Sequence, residues 1–314
     1  MRGKKIAIVG SGSIGLFYGS KLASAGCHVH FLMRSGFDAA IKSGIRIHSA
    51  AGSSHIENPC AAKSPAAIGP CDGVIIAVKA TSNAEVPDLL PPLLNDRTWI
   101  LTLQNGLGNE EFFESYFGAE RIIGGLCFVC LTRRNPVEVD HAGHGTLSIG
   151  EYHGPPQERT RRLVDAFLAA GVEASLVDDL IGERWRKLAW NIPFNGLCTI
   201  ERAGVDRILG DPALLHECEC LMHEVRAIAA ASGHEIPPEY TAHQIDRTRS
   251  MGPYRPSTLV DAEAGNLLEI EPIWAEPLRR ARNLGVQTPH LTALYEKLNS
   301  RTSSQRQGCR PAGS

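Results

Sequence analysis

The chain has 314 residues, enough for two domains, and a hydrophobic content of 43%, which is ordinary for a protein with a sizeable core. Its formal net charge of -2 at pH 7 leaves no basic excess, which argues against a nucleic-acid or membrane-surface partner. The apolar run near the start covers only Ile6 to Val9, so we expect neither a signal peptide nor a membrane span. These features predict a cytoplasmic protein.

The first dozen residues predict a strand, a tight turn and a helix. The β-branched run that ends at Val9 is followed by a glycine-spaced loop, and helical spacing then runs from Ile14 to Ala25. The loop fits the dinucleotide fingerprint G-x-G-x-x-G, in which the glycines allow the turn, the approach of a pyrophosphate and close packing of helix on strand. A second strand, His28–Met33, completes a βαβ unit. The candidate cofactor-binding residues are Gly10, Ser11, Gly12, Ser13, Ile14 and Gly15.

The end of the second strand indicates which dinucleotide is bound. A free ribose 2′-hydroxyl is usually met there by Asp or Glu, whereas an Arg accommodates a 2′-phosphate. This strand is followed by Arg34 and Ser35, with no carboxylate. We therefore expect NADPH rather than NADH, with Arg34 as a cofactor-binding residue.

Two further buried strands end in polar residues. The run from Gly73 to Val78 is followed by Lys79, and the run Trp99–Leu103 is followed closely by Asn105 and a glycine. In open α/β sheets, ligands bind at the carboxyl ends of the parallel strands. Lys79 is therefore a candidate cofactor contact and Asn105 a candidate site residue.

The strand signals continue to about residue 178 and then vanish. Strands are predicted at Ile122–Val129, Gly145–Ile149 and Gly171–Val177, with a helix over 158–170. From Leu180 onward the pattern is helical with Pro and Gly breaks. We predict an α/β Rossmann-type domain at 1–178, a mostly α-helical domain at 179–298 and a disordered tail at 299–314.

The first helix of the second domain carries three polar residues on one face. Lys187, Asn191 and Asn195 lie at spacings of four, so they drift by only about 40° per step. Pro193 removes a helix hydrogen bond and is expected to bend the segment. Apolar side chains surround this face, which argues against a solvated surface: Trp185, Leu188, Trp190, Ile192 and Phe194.

No metal site is expected. The nine cysteines are scattered, as in proteins of a reducing compartment. Cys127 and Cys130 lie in a strand-like run that directs their side chains to opposite faces, and no second pair completes a zinc site. His141 and His144 are interpreted as turn residues.

Taken together, these motifs resemble the ketopantoate reductase (2-dehydropantoate 2-reductase) family over residues 4–298. The resemblance depends on the order and spacing of the motifs: the glycine loop at 10–15, Arg34, Lys79, Asn105-Gly106, the Lys187/Asn191/Asn195 face, Pro256–Asp261 and Glu269. It implies a Rossmann domain and a helical domain with the active site between them. NADPH would then reduce the C2 carbonyl of a small 2-oxo acid to give pantoate, in pantothenate and coenzyme A biosynthesis.

The resemblance also implies residue roles. Lys187 looks like the proton donor to the developing alkoxide. The implied substrate-binding residues are Asn105, Asn191, Asn195 and Ser257, and Asn105 would touch the cofactor as well. Glu269 is similar to the family's acidic residue on the nicotinamide side, so it is an implied cofactor-binding residue, and near Lys187 it would keep the lysine protonated. Lys79 and Arg34 resemble adenosine-phosphate contacts.

Two other functions stay open from the sequence. One is a 3-hydroxyacid dehydrogenase of the hydroxyisobutyrate or 6-phosphogluconate type, which also uses a Lys and an Asn four residues apart. The other is a catalytically silent NADPH-binding module, although retention of Lys187 argues against it. The physiological 2-oxo acid also stays open, because Trp190 and Phe194 make the helix bulkier than in many relatives. We leave a homodimer through the helical domain open.

Overall fold

The computed structural model describes residues 1–50 and 52–308. The chain forms two compact units. One, here the sheet unit, contains Met1–Gln104 and Asn109–Leu180, and the other, the helical unit, contains Asn105–Gly108 and the chain from Ile181 onward. This division lies two residues after the predicted boundary and, unlike the prediction, assigns the short segment after residue 104 to the helical unit.

Within the described residues, ten strands form one sheet. They are β1 (Lys5–Val9), β2 (His28–Leu32), β3 (Ile45–Ser49), β4 (Ser54–Ile56), β5 (Cys60–Ala62), β6 (Gly73–Ile76), β7 (Trp99–Thr102), β8 (Ile122–Asn135), β9 (Glu138–Glu151) and β10 (Ala174–Leu176). The helices of this unit are α1 (Ser13–Ser24), α2 (Phe37–Ser43), α3 (Pro65–Ile68), α4 (Val86–Leu89), α5 (Asn109–Phe117) and α6 (Glu158–Ala169).

The strand order is β4-β3-β9-β8-β7-β6-β1-β2-β5, and β10 pairs with β9. Parallel β2 and β6 flank β1, with Val9 opposite both Leu32 and Ile76, and Ile76 is opposite Thr102 of β7. The carboxyl ends of these four strands therefore lie along one edge, and the chain changes direction across the sheet between β1 and β6. Ligands of open α/β sheets bind at such a switch point. The predicted Rossmann-type architecture is confirmed.

The sheet is mixed rather than wholly parallel, which the sequence did not indicate. β8 and β9 form a long antiparallel hairpin, and β3 and β4 pair antiparallel. The hairpin extends beyond the predicted strands because Asn135 closes a tight turn, its Oδ1 accepting from the backbone N of Val137 at 2.9 Å. The polar residues near this turn had obscured the strand pattern, and the short elements α2 and β3 to β5 were not predicted.

Alternation along the strands builds two apolar layers, one on each face of the sheet. Ile6 and Ile8 of β1 belong to the core that includes α1 and α6, whereas Ala7 and Val9 belong to the core that includes α4 and α5. Successive side chains of a strand point to opposite faces, so an uninterrupted apolar run is what a strand covered by helices on both sides requires.

The helical unit contains seven helices among the described residues. They are α7 (Leu180–Glu201), which begins one residue before the unit does, α8 (Val205–Gly210), α9 (Pro212–Ala231), α10 (Glu239–Arg249), α11 (Ser257–Glu263), α12 (Glu276–Leu284) and α13 (Pro289–Gly308). A single π-helical turn, Glu271–Ala275, precedes α12. α7 runs through Pro193 as one helix, and its bend stays a prediction. Of the helices in the described part of the chain, none is long and apolar enough to span a membrane.

The last helix differs from the expected disordered tail. α13 continues to Gly308, so residues 299–308 are helical, and residues 309–314 lie outside the described residues. No Pro or Gly interrupts 290–307. The guanidinium of Arg301 also anchors this part of the helix, donating to the carbonyl oxygens of Thr199 and Ile200 at 2.9 and 2.8 Å. These carbonyls belong to the last turn of α7, where backbone acceptors lack helical partners.

Candidate active site

The loop between β1 and α1 shows why its glycines are needed. Gly10 has a φ of +103°, and a Cβ there would lie 2.4 Å from the backbone N of Val78. A Cβ on Gly15 would lie 2.1 Å from the carbonyl oxygen of Gly10, so helix and turn pack too closely for any side chain. At Gly12 a Cβ would meet nothing within 4 Å. Gly10 and Gly15 therefore serve the fold, whereas Gly12 faces open space.

The helix that follows has a polar, open N-terminus. α1 begins at Ser13, and its N-cap residue is Gly12, which has no side chain to cap the first amides. Ser11 Oγ donates to the carbonyl oxygen of Leu32 at 2.9 Å, which ties the loop to the end of β2. The first amides of a twelve-residue helix, including those of Ser13 and Ile14, form a favourable site for an anionic group.

Arg34 and Lys79 follow strands on either side of β1. Arg34 lies two residues after the end of β2, and Lys79 precedes a 3-10 segment, Ala80–Glu85, that follows β6. Arg34 Nη1 lies 3.4 Å from Glu85 Oε2, and both side chains are exposed. No sequence motif pointed to Glu85, which is 51 positions from Arg34 in the chain.

A buried amide network also lies at this edge of the sheet unit. Gln104 Nε2 donates to the carbonyl oxygen of Val78 at 2.9 Å and to Asn83 Oδ1 at 2.6 Å, and Gln104 Oε1 accepts from Thr102 Oγ1 at 3.0 Å. Asn83 Nδ2 in turn donates to Asn109 Oδ1 at 2.9 Å. The network joins the segment after β6 to the end of β7. The only signal for it in the sequence was the position of Gln104 beside Asn105.

In the helical unit, the central contact joins Lys187 to Asn105. Lys187 Nζ donates to Asn105 Oδ1 at 2.7 Å. The next residue, Gly106, has a φ of +83°, and a Cβ there would lie 2.3 Å from the carbonyl oxygen of Pro272. The backbone N of Leu107 donates to that same oxygen at 2.9 Å. The segment 105–108 is therefore seated on the π-helical turn, which fixes the amide that orients Lys187.

The other two polar residues of the α7 face are buried, as their apolar neighbours indicated. Asn191 and Asn195 are 6% and 3% exposed. Asn195 Nδ2 donates to Thr258 Oγ1 at 3.2 Å, while Asn195 Oδ1 is buried with no hydrogen-bond partner in the described structure. Ser257, exposed, is the first residue of α11, directly before Thr258. Thr258 was missed in the sequence, where only its neighbour Ser257 was singled out.

Trp190 and Phe194 of α7 pack against each other but differ in burial. Phe194 is fully buried in the core of the helical unit. Trp190 is partly exposed, stacks on Phe194 with ring centroids 5.1 Å apart, and donates from Nε1 to Thr248 Oγ1 of α10 at 2.9 Å. Glu269 is half-buried and immediately precedes the helical turn that begins at Ile270.

Two titratable groups of the helical unit are neutral at physiological pH. Burial raises the pKa of the Cys198 thiol on α7 to about 12, so this thiol is neutral. Burial also raises the pKa of Tyr240 to about 12, and its hydroxyl donates to the carbonyl oxygen of Arg186 at 3.0 Å. No group of three or more His, Cys, Asp or Glu side chains in the described residues is placed to hold a metal ion.

Comparison with known proteins decides the family. A model of the ketopantoate reductase PanE/ApbA family matches residues 6–154, and a model of the C-terminal part of the same family matches residues 179–302. The chain belongs to the ketopantoate reductase family. Similar members include the 2-dehydropantoate 2-reductase of Nostoc sp., which is 36% identical over 313 residues covering 98% of each chain.

Solved structures of ketopantoate reductases share the whole fold. The 2-dehydropantoate 2-reductase of Geobacter metallireducens GS-15 matches with a TM-score of 0.92 and 40% identity, covering 94% of this chain and 99% of that one. The enzyme of Methylococcus capsulatus matches with a TM-score of 0.89 and 31% identity, covering 98% and 99%. The resemblance stated from the sequence motifs is therefore confirmed over both units.

Proposed function

We propose that this ketopantoate reductase family member reduces the C2 carbonyl of 2-dehydropantoate to give pantoate, with NADPH as the reductant. The observation that carries the proposal is the ammonium of Lys187 oriented by the Asn105 amide on a buried polar face. Family membership and the dinucleotide-type loop of the sheet unit support it. The reaction places the enzyme in pantothenate and coenzyme A biosynthesis.

The sheet unit fits a nicotinamide dinucleotide. The open side of Gly12 lies at the start of α1, where backbone amides favour a pyrophosphate. The exposed guanidinium of Arg34 fits a 2′-phosphate, and Lys79 supplies a second cation at the same edge. Hydride is the chemistry that such a cofactor supplies when bound.

In this proposal Lys187 is the general acid. Reduction of a carbonyl leaves negative charge on oxygen, and an ammonium both stabilises that charge and donates a proton to it. Arg could not replace Lys, because a guanidinium hardly gives up its proton. The 2.7 Å bond to Asn105 Oδ1 restricts the directions in which the flexible lysine can point. Glu269 is proposed to keep Lys187 protonated and to lie on the nicotinamide side.

The polar face of α7 is proposed to bind the substrate through Asn191 and Asn195, together with Ser257 and Asn105. The Oδ1 of Asn195, which has no hydrogen-bond partner in the described structure, indicates what kind of 2-oxo acid is bound. A buried acceptor without a donor is costly, and a substrate hydroxyl would satisfy it. 2-Dehydropantoate carries a hydroxyl on C4, whereas its carboxylate and ketone offer acceptors only. This favours a hydroxyl-bearing 2-oxo acid.

The deciding assay follows NADPH absorbance with 2-dehydropantoate and with 3,3-dimethyl-2-oxobutanoate, which lacks only the hydroxyl. We expect kcat/KM to be about 10- to 100-fold higher for 2-dehydropantoate, since the analogue leaves a buried acceptor unpaired at a cost of about 1–3 kcal/mol. Asn195→Leu should reduce that ratio towards one. Equal rates with both acids in the unaltered enzyme would contradict the assignment of 2-dehydropantoate.

The same preparation tests the alternatives. An enzyme of the 3-hydroxyacid dehydrogenase type would oxidise 3-hydroxyisobutyrate with NADP, and we expect no such activity. A silent NADPH-binding module would bind the nucleotide yet turn over neither substrate. We propose that the protein forms no assembly larger than a homodimer. Size-exclusion chromatography with light scattering measures the mass of that assembly.

A further inference from the structure

The exposed pair formed by Arg34 and Glu85 lies where the proposed 2′-phosphate would bind. β2 and β6 end on either side of β1, so the segments that carry these two residues leave the sheet at neighbouring points. Arg34 Nη1 lies 3.4 Å from Glu85 Oε2, and the side chains are 88% and 62% exposed. The Glu85 carboxylate is therefore already paired with the guanidinium that a 2′-phosphate would contact.

The backbone before Glu85 is anchored. The side chain of Asn83, two residues earlier in the same 3-10 segment, is hydrogen-bonded to Gln104 at 2.6 Å and to Asn109 at 2.9 Å. Gln104 and Asn109 are 4% and 1% exposed and Asn83 is half-buried, so these hydrogen bonds are largely shielded from solvent. The Glu85 side chain can rotate, but its segment is fixed to the sheet unit close to Arg34.

A carboxylate at this position acts on the two nicotinamide dinucleotides in opposite ways. Towards a 2′-phosphate it competes for Arg34 and adds like-charge repulsion, which weakens binding. Towards an unphosphorylated ribose it offers an acceptor for the 2′-hydroxyl, the role that Asp or Glu plays at the end of the second strand in NAD-binding proteins. No carboxylate occurs at 33–36, directly after β2, so Glu85 supplies one from the connection that follows β6.

We propose that Glu85 is a specificity-determining residue that lowers the preference for NADPH over NADH. The inference rests on the proposed dinucleotide function. Arg34 selects the 2′-phosphate, and Glu85 limits that selection and admits NADH as a second reductant.

Nucleotide binding tests this without requiring turnover. The probes are adenosine 2′,5′-bisphosphate and AMP, which differ only in the 2′-phosphate, titrated by calorimetry at low ionic strength so that surface charges are weakly screened. In Glu85→Gln we expect the bisphosphate to bind about 3- to 10-fold more tightly, while AMP binds no more tightly than before. The ratio of the two dissociation constants, bisphosphate to AMP, should therefore fall.

Glu158→Gln is the matched control, because Glu158 pairs with Arg162 at 2.8 Å and the two side chains are also exposed, 69% and 61%. Its ratio should equal that of the unaltered protein. In an Arg34→Ala background, the Glu85→Gln effect should shrink to less than about twofold, since the phosphate is no longer held beside Glu85. In the assay, Glu85→Gln should raise the NADPH to NADH ratio of kcat/KM by the same factor.

A failure of the role proposed for Glu85 and a failure of the proposed function give different results. If both probes bind and Glu85→Gln leaves their ratio unchanged, or Glu158→Gln shifts it equally, the role of Glu85 is overturned while the dinucleotide function stands. An undiminished effect in the Arg34→Ala background would also overturn it, because it would show a general effect of net charge. A protein that binds neither probe would overturn the proposed function, and this inference with it.

Discussion

The ammonium nitrogen of Lys187 and the amide oxygen of Asn105 are 2.7 Å apart although 82 positions separate them in the chain. Asn105 directly follows the sheet unit in sequence, yet the segment 105–108 belongs to the helical unit, seated on the π-helical turn. After β7 the chain therefore belongs to the helical unit for four residues and returns to the sheet unit at Asn109. This connection makes the orientation of Lys187 depend on four residues far from its own helix.

Lys187→Ala should lower kcat by about 10²- to 10⁴-fold if the ammonium donates the proton. Lys187→Arg should lose nearly as much, because arginine keeps the charge but does not release a proton. NADPH oxidation measured at saturating substrate separates this loss from weaker binding. Lys297→Ala, which removes an exposed lysine of α13, is the control and should leave kcat unchanged. A loss below about tenfold in Lys187→Ala would make Lys187 a binding residue instead.

Gly12→Ala should separate cofactor binding from folding. Its Cβ would meet nothing within 4 Å, and its φ of -81° suits alanine, so the free energy of unfolding should change by less than about 1 kcal/mol. The methyl group would project into the space proposed for the pyrophosphate, so we expect the dissociation constant of NADPH to rise about tenfold or more. Gly210→Ala, also in open space, is the control for nucleotide binding. Unchanged NADPH affinity in Gly12→Ala would refute the placement of the pyrophosphate.

Gly106→Ala and Gly108→Ala form a matched pair for the packing of the Asn105 segment. The two glycines have φ values of +83° and +87°, so alanine is strained at both. At Gly108 the nearest atom to a Cβ is Glu276 Cγ at 3.6 Å, an ordinary contact, whereas at Gly106 the Pro272 carbonyl oxygen lies at 2.3 Å. Gly106→Ala should therefore cost about 1 to 3 kcal/mol more in urea denaturation. Equal losses in the two variants would show that the close approach at Gly106 is not maintained.

Stability should fall in alkaline solution because of buried thiols. Burial raises the pKa of Cys198 from 9.0 to about 12, and burial also raises the pKa of Cys218. Above pH 9 the unfolded chain loses a proton that the folded protein keeps, so the stability present below pH 9 is lost as the pH rises towards 12. Each such thiol should contribute a loss on the order of 1 kcal/mol between pH 8 and pH 10.

Urea denaturation under reducing conditions at pH 8 and pH 10 measures this loss. Cys198→Ala should reduce the pH-dependent loss by an amount on the order of 1 kcal/mol, because the cavity that it leaves costs the same at both pH values. Cys60→Ala removes an exposed thiol and is the control, with the full pH-dependent loss retained. A pH dependence that is the same in Cys198→Ala and in the unaltered protein would contradict the buried, neutral thiol.

The sequence by itself determined the local features. Glycine spacing predicted the β1 turn, in which the clash at Gly15 is with the carbonyl oxygen of Gly10, five residues earlier. Helical spacing predicted the polar face of α7, and apolar neighbours predicted the burial of Asn191 and Asn195. These features depend on backbone geometry and on residues close in sequence, which a single chain displays directly.

Only the tertiary structure decided which distant residues meet. The partners Arg34 and Glu85 are 51 positions apart, and Asn195 meets Thr258 across 63. The sequence also gave no indication that Arg301 would anchor residues 299–308 as helix. Such contacts follow from how strands order in the sheet and how helices pack, and the polar residues that make them carry no periodic signal of their own. Local spacing therefore indicates which face is polar, while packing decides what that face touches.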